Sequence, residues 1–401
     1  MFDSTGDAGS PRTARGQAEI TPAFVRLGSL RAAAPVWLRR LGPPLAAFAI
    51  AHARLWRAAR FAGAEASDPA EWGRWDTAHY FAIAKQGYEF VWCGADSGDP
   101  PTMRCGNTAW LPGFPLLMRG LLQLGVQIEA AGAFIAGACA LGTLIVFWNA
   151  FLGAQLTAAA VLTLLLAAFV PGNIYHHGIF PVSLCTLFLV LALAAYARRE
   201  FLWAGLAGAC AAFSYSSGMF LAAVFGLHLL YAERHAPLTR QARQWLLTSG
   251  VTLLGFGAFL VLLEATTGRW SSYFIIQQKY AYEPTWPWLA IWKRVEEASF
   301  VGREVVHLQT VFVAVLALVL LWAAARSRQS VDGLLALFVL FYWLVPLAMG
   351  GKLSLYRAES MLLPGLVLAR RLPVPVLVIL LLAAVWLSAQ MAVLYFMNVL
   401  V

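Results

Sequence analysis

Residues 201–231 read FLWAGLAGACAAFSYSSGMFLAAVFGLHLLY, without a single Asp, Glu, Lys or Arg. One α-helix of this length would extend for about 47 Å, whereas the hydrocarbon core of a bilayer is about 30 Å thick. Three serines and a glycine in the segment 214–218 interrupt the run near its middle. Such residues break helices, so the stretch predicts two membrane-crossing helices joined by a short break.

The rest of the chain has the same character. Of 401 residues, 60% are hydrophobic and only 12% are charged, whereas about a quarter are charged in ordinary soluble proteins. Uncharged runs close to membrane-spanning length recur through the chain. We therefore predict an all-α, polytopic integral membrane protein with about eleven transmembrane helices. The predicted spans are 41–61, 129–152, 155–171, 179–197, 201–213, 216–232, 246–265, 305–325, 332–350, 357–370 and 373–398.

The basic residues predict the orientation. Residues 1–40 form an arginine-rich arm before the membrane domain 41–401. When 201–231 is counted as two passes, every short basic loop falls on the same side as this arm, as the positive-inside rule requires. The net charge of +9 is then explained by the arginines on the cytoplasmic side of the membrane, and it does not indicate nucleic-acid binding. We expect a cytoplasmic N-terminus, and the Ala, Leu and Arg content favours a bacterial inner membrane.

Two long segments, 62–128 and 266–304, then lie outside the cytoplasm. In the second, an apolar face with three tryptophans alternates with a charged face over residues 286–297. This pattern predicts a helix lying at the membrane interface and contacting lipid. Pro287 suits its first turn.

Cys93 and Cys105 both lie in the first outer segment. Outside the cytoplasm, two cysteines at this spacing can form a disulfide, although two free thiols remain the alternative. No His or further Cys accompanies them at zinc-ligand spacing, so no metal site is predicted.

Polar chemistry gathers on the same outer side, while the spans hold few ionisable groups. A carboxylate that accepts a proton from a hydroxyl must lie close to that hydroxyl, and Asp76 fits this role. The alternative for Asp76 is a helix N-cap, since an amphipathic helix is predicted from Thr77. Arg357 or Lys279 would stabilise the charge on a departing phosphate.

The stretch 74–88, RWDTAHYFAIAKQGY, closely resembles the first-loop signature of the PIG-V-type mannosyltransferases. The stretch 109–117, AWLPGFPLL, is similar to the second motif of that family. Tyr356 and Arg357, followed by Pro364, resemble its late Arg-to-Pro element. Two further family motifs are altered here: residues 178–183 replace a Tyr-Ser-Glu run, and Tyr215–Gly218 lacks the expected arginine.

This resemblance implies a GT-C glycosyltransferase whose donor is a polyprenyl-phosphate sugar and whose acceptor is a lipid-linked or surface glycan. Asp76 would then deprotonate the acceptor in an inverting transfer of a hexose, with mannose as the implied sugar. His79 would line the pocket or orient Asp76. Arg74 would hold the loop, or pair with Asp76 or with a lipid head group. The implied mechanism uses neither metal nor cofactor.

His176 and His177 immediately precede the altered segment 178–183, and they are predicted either to line the pocket or to form a structural turn before the next span. Two other function classes remain open. A lipid or polyprenyl-phosphate flippase would use the same surface without covalent chemistry, although its polar groups should reach both membrane faces. A structural subunit of a partner glycosyltransferase would be active only in complex.

Overall fold

The computed structural model describes residues 35–94, 99–280, 283–350 and 355–400. Its α-helices are α1 (Val36–Phe61), α2 (Thr77–Lys85), α3 (Gly113–Gln123), α4 (Ile128–Val146), α5 (Ala158–Ala168), α6 (Ile174–His177), α7 (Val182–Ala197), α8 (Phe201–Ser214), α9 (Phe220–Ala232), α10 (Leu238–Trp245), α11 (Val251–Thr267), α12 (Ser272–Gln277), α13 (Pro287–Glu297), α14 (Val305–Ala325), α15 (Ser330–Ala348), α16 (Leu355–Ser360) and α17 (Val374–Phe396).

Shorter helical turns join these elements. The segments Pro69–Trp72, Ser216–Met219, Gln278–Tyr280, Gly302–Glu304 and Leu363–Arg371 are 3-10 helices. The segments Phe147–Phe151 and Leu246–Gly250 are π-helical, and the second makes α10 and α11 one continuous helix. Helix α1 begins at Val36, before the predicted first span 41–61, and residues 1–34 lie outside the described residues, so the arm 1–40 stays a prediction.

Within the described residues, five helical stretches are long and apolar enough to cross a membrane, which indicates a membrane protein. They are Ile128–Phe151, Leu238–Thr267, Gly302–Ala325, Ser330–Ala348 and Val374–Phe396, and four shorter apolar helices are Ala158–Ala168, Val182–Ala197, Phe201–Ser214 and Ser216–Ala232. The total of about eleven spans therefore stays a prediction.

The run 201–231 breaks where its serines predicted. Helix α8 ends at Ser214, and Tyr215 is extended, with φ −155° and ψ 141°. The hydroxyl of Tyr342 donates to the carbonyl of Ser217 at 2.8 Å, so the break is held by α15.

The predicted span 357–370 is divided. Helix α16 ends at Ser360, and a 3-10 helix begins at Leu363 with Pro364 in its first turn. Proline lacks an N–H and disfavours an α conformation in the residue before it, so a single α-helix does not run through this segment.

The all-α prediction needs one correction. Strands β1 (Phe90–Trp92) and β2 (Arg104–Gly106) form an antiparallel pair in which Val91 lies opposite Cys105. Aromatic and β-branched residues favour such pairing, and the intervening segment is rich in Gly, Asp and Pro, which favour turns. Each strand has only three residues, too few for alternation to reveal it in the sequence.

Helix α13 has the predicted amphipathic form. Pro287 occupies its first turn, and Trp286, Trp288 and Trp292 are exposed. Ala290 is its buried residue, and the guanidinium of Arg294 contacts Nδ1 of His307 on α14 at 3.0 Å. Exposed tryptophans on a helix anchored from its other side fit a membrane interface.

One buried charge cluster joins the start of α15 to the end of the 3-10 helix Leu363–Arg371. Asp332 is fully buried, and its carboxylate pairs with Arg370 at 2.5 Å and with Arg371 at 3.0 Å. The hydroxyl of Ser327 also donates to it, at 2.5 Å.

Replacing Asp332 with Asn should lower the free energy of unfolding by about 3 kcal/mol, because two arginines lose their buried counter-charge. Thermal unfolding of the purified protein in detergent measures the effect. Glu200→Gln is the matched control, since Glu200 is exposed and forms no ion pair with any described residue. Equal stability of the two variants would contradict this account.

Candidate active site

Asp76 lies at the start of α2 in the first outer segment. The residue before it, Trp75, adopts a left-handed backbone with φ +47°, which is unusual for a large side chain. Its indole N–H donates to the carbonyl of Leu400 at 2.7 Å, which ties this turn to the far end of the chain. Strain of this kind persists only where the surroundings impose it, and it often marks a functional site.

Asp76 occupies the N-cap position of α2, but its side chain makes no capping hydrogen bond. Its Oδ2 instead accepts a hydrogen bond from Nη1 of Arg357. Oδ1 accepts none from any residue that the structure describes. The capping alternative therefore does not account for Asp76, and one carboxylate oxygen is available for a substrate hydroxyl.

Arg357 is nearly buried, with 6% of its surface exposed. Its guanidinium lies over the rings of Tyr175, at 5.4 Å, and Phe180, at 5.0 Å. Tyr395 packs edge-on against both rings. Tyr175 and Phe180 thus contact the cation directly, and the negative faces of their rings favour its charge.

The backbone beside Arg357 is fixed by close contacts. Gln309 of α14 donates through Nε2 to the carbonyl of Tyr356 at 3.1 Å and to the carboxyl group of Glu359 at 2.9 Å. Gly172 has φ +76°, and a Cβ atom there would lie 2.7 Å from the carbonyl oxygen of Tyr356. Only glycine fits this turn without displacing the chain that carries Arg357.

Arg74 does not pair with Asp76. Its Nη2 donates to Glu71 at 2.6 Å and its Nη1 to the carbonyl of Gly73 at 2.7 Å, while its guanidinium lies 5.8 Å from the ring of Tyr395. These contacts brace the loop that presents Asp76. A direct role in substrate binding stays a prediction.

His79 lies one turn after Asp76 on α2, and its imidazole stacks on the indole of Trp110 with ring centroids 3.5 Å apart. Burial lowers the pKa of His79, and the negative charge of Asp76 only partly offsets that effect. The ring is thus neutral at pH 7, and neither nitrogen hydrogen-bonds to a described residue. One nitrogen can donate and the other can accept.

His176 and His177 are buried on the short helix α6. Nε2 of His176 contacts the carbonyl of Ser360 at 3.2 Å, and burial lowers the pKa of this histidine to about 4. Nδ1 of His177 lies 3.2 Å from Nδ1 of His52 on α1. Both contacts join helices behind Arg357, as expected for a structural turn. Pocket lining by either histidine stays a prediction.

Lys279 joins the two outer segments. Its ammonium pairs with Asp99 at 2.5 Å and lies 3.2 Å from Sγ of Cys105. Cys93 and Cys105, for which the sequence left a disulfide and two free thiols open, are disulfide-bonded. The carboxylate of Asp99 is engaged by Lys279, so this lysine has a counter-charge already and does not contact Asp76.

Cys93, Asp99 and Cys105 are also the group of three possible metal ligands that lie close together among the described residues. Both sulfur atoms belong to the disulfide, and the ammonium of Lys279 occupies the space beside the carboxylate. This donor set does not fit a metal ion, because metals bind the thiolate form of cysteine.

A cavity of about 250 Å³ lies near the Asp76–Arg357 pair, although neither residue of the pair lines it. Two lining residues connect it to the pair: Tyr356 precedes Arg357, and Leu400 accepts the hydrogen bond from Trp75. Two arginines, Arg294 and Arg303, line it, together with His307 and the acidic Glu304. The side chain of Arg303 has no hydrogen-bond or ion-pair partner among the described residues.

The sequence did not reveal this basic cluster. Arg294 belongs to the charged face of the predicted interfacial helix, whereas Arg303 and His307 stand at the start of a predicted span. Three basic residues within fourteen positions were the available signal. Only the packing of α13 on α14 shows that they line one cavity.

No protein-family model matches the sequence, and no curated protein matches it. Among solved structures, the crystal structure of the oligosaccharyltransferase from Archaeoglobus fulgidus, in complex with zinc and sulfate, is similar, with a TM-score of 0.51 and 13% sequence identity. This similarity shows that the chain shares its fold with part of that protein. The similarity covers 88% of this chain but only 53% of that one, so the chain spans about half the length of its structural neighbour.

Gly172→Ala should lower the free energy of unfolding by about 2 kcal/mol and reduce activity, because a Cβ atom at a left-handed position would push Tyr356 and Arg357 aside. Thermal unfolding and a transfer assay measure the two effects. Gly257→Ala is the control, since its new Cβ atom would meet nothing within 4 Å. Unchanged stability and activity in Gly172→Ala would show that the close contact is unimportant.

Proposed function

We propose that the protein is a membrane glycosyltransferase that moves a hexose, mannose, from a polyprenyl-phosphate donor to a lipid-linked or surface glycan acceptor. The supporting observation is the ion pair of Asp76 and Arg357, in which one carboxylate oxygen of Asp76 is left without a described partner, near a cavity that two arginines line. The GT-C-like fold and the resemblance of residues 74–88 to the PIG-V-type signature point the same way. Mannose and the PIG-V type rest on that resemblance alone.

In the proposed reaction, Oδ1 of Asp76 takes the proton of an acceptor hydroxyl. The acceptor oxygen then attacks the anomeric carbon, while the bond from that carbon to the donor phosphate oxygen breaks. The electron pair leaves with the lipid phosphate. One displacement on one face inverts the configuration at the anomeric carbon, and Arg357 keeps the carboxylate in place during the transfer.

The departing phosphate gains negative charge and needs fixed cations close by. Arg357 already pairs with Asp76, and Lys279 pairs with Asp99. Other cations are therefore better placed to bind the phosphate than these two residues. Arg303 and Arg294, with His307 beside them, line the adjacent cavity. We assign the donor phosphate to this cavity.

The proposed reaction needs no cofactor, because the lipid-linked sugar is itself the substrate and brings its leaving group. A single phosphate stabilised by arginines also requires no divalent ion. We place the site outside the cytoplasm of a bacterial inner membrane, with the N-terminus inside. The support for this orientation is the distribution of arginines between the loops.

Asp76→Asn should reduce transfer by at least about a hundredfold, because the amide cannot accept the acceptor proton. The assay uses purified protein, polyprenyl-phosphate mannose and membrane extract as the acceptor source. Asp68→Asn, in the same segment, should retain activity, since Asp68 caps a 3-10 helix through Oδ1 and Asn caps as well. Near-normal transfer by Asp76→Asn would remove Asp76 from the role of catalytic base, whereas no transfer by the wild-type protein would favour a flippase without covalent chemistry.

Arg303→Gln should raise the KM for the donor about tenfold, because a charge-assisted hydrogen bond to phosphate is lost. Kinetics at varied donor concentration measure this change. Arg269→Gln removes one charge from an exposed position of the same outer segment and should leave KM unchanged. Equal KM values for the two variants would contradict the assignment of the donor phosphate to this cavity.

A further inference from the structure

A second basic cavity, of about 370 Å³, lies at the start of α8. Three arginines line it, namely Arg199, Arg240 and Arg243, together with the apolar residues Phe201, Leu202 and Leu247. The lining residues come from the segment before α8, from the first turn of α8, and from the polar helix α10 and its junction with the apolar helix α11.

This cavity is remote from Asp76. The far end of α8, Ser214, packs against Gly113 of the first outer segment, where a Cβ atom on Gly113 would lie 2.8 Å from Cα of Ser214. The 14 residues of α8 separate the two ends by about 21 Å. The cavity therefore lies toward the opposite membrane face, which the arginine distribution predicts to be cytoplasmic.

The arginines outnumber the acidic groups near them. Arg199 pairs with Glu233 at 2.7 Å, and Arg240 approaches the same carboxylate at 3.5 Å. Arg243 forms no hydrogen bond or ion pair with any described residue. Three guanidinium groups thus share one carboxylate, and the cavity keeps a net positive charge.

The backbone conformation of Arg199 supports a role for its side chain in the cavity. Arg199 follows α7 with φ +63°, and the amides of Arg199 and Glu200 donate to the carbonyls of Tyr196 and Ala195. This hydrogen-bond pattern is a Schellman motif, in which glycine normally takes the left-handed position. An arginine here adopts a strained conformation while its side chain lines the cavity.

Exposed apolar side chains accompany the cavity. Leu202 is exposed in the lining, and Trp245 and Leu246 are exposed in the chain between the lining residues Gln244 and Leu247. Within the lining, Gln244 is buried, with 7% of its surface exposed, and its Oε1 has no hydrogen-bond partner among the described residues. Cations beside apolar surface match a molecule with a phosphate head and hydrocarbon tails.

We propose that this cavity binds the headgroup of an anionic phospholipid from the surrounding leaflet. Its phosphate would lie between Arg240 and Arg243, and its acyl chains would follow Leu202 and Leu246. A headgroup hydroxyl, as in phosphatidylglycerol, would supply the partner that Gln244 lacks. The site is separate from the proposed transfer reaction and holds whether or not that reaction is correct.

Native mass spectrometry of the full chain in detergent, with added phosphatidylglycerol or phosphatidylcholine, tests this site. Wild-type protein should bind phosphatidylglycerol at least about tenfold more tightly, because phosphatidylcholine carries no net charge. Arg243→Gln should weaken phosphatidylglycerol binding about fivefold and leave phosphatidylcholine unaffected. Arg243 has no described partner to lose, so this variant is expected to fold.

Arg234→Gln is the matched control. Arg234 is an exposed arginine in the connection between α9 and α10, where it contacts Tyr231 and His235 and does not line the cavity. Equal loss in the two variants, or equal binding of both lipids by wild-type protein, would overturn the proposal. Displacement of phosphatidylglycerol by millimolar glycerol phosphate would show that the cavity binds a soluble phosphate ester and would overturn the lipid assignment.

Discussion

The ion pair between Asp76 and Arg357 is the interaction on which the candidate site depends. It joins residues 281 positions apart and ties the first outer segment to the short helix α16. A guanidinium as buried as Arg357 would be strongly destabilising without a counter-charge, by about 3 kcal/mol or more. Asp76 supplies that charge, and the left-handed turn at Trp75 and the glycine at position 172 bring the two groups together.

This arrangement lets one carboxylate serve two purposes. Oδ2 binds the arginine, so the geometry of Asp76 is set before any substrate arrives. Oδ1 stays available for an acceptor hydroxyl. Preorganisation of this kind removes the cost of ordering a side chain during the reaction, which is the general advantage of a rigid active site. In the proposed reaction, the basic cavity would stabilise the charge on the leaving phosphate.

Residue chemistry predicted Asp76 and Arg357 but not their partnership. An Asp before a helix could equally be an N-cap, and an Arg could equally bind phosphate. The type of a residue does not reveal which group it contacts in the folded protein. Lys279 is predicted to bind phosphate, but it pairs with Asp99 instead. The two residues are far apart in the sequence, so nothing in the sequence indicated this pairing. The cluster of Arg294, Arg303 and His307 remained hidden because its members were assigned to two different elements.

The sequence by itself determined the membrane class, the helical fold and the break at Tyr215, since these follow from local composition and from the fixed rise of a helix. It also indicated which residue types could carry acid–base chemistry. Only the tertiary structure decided which charges meet, that residues 90–106 pair as strands, and where the two basic cavities lie. Those features join residues from distant segments, and packing between helices sets such contacts.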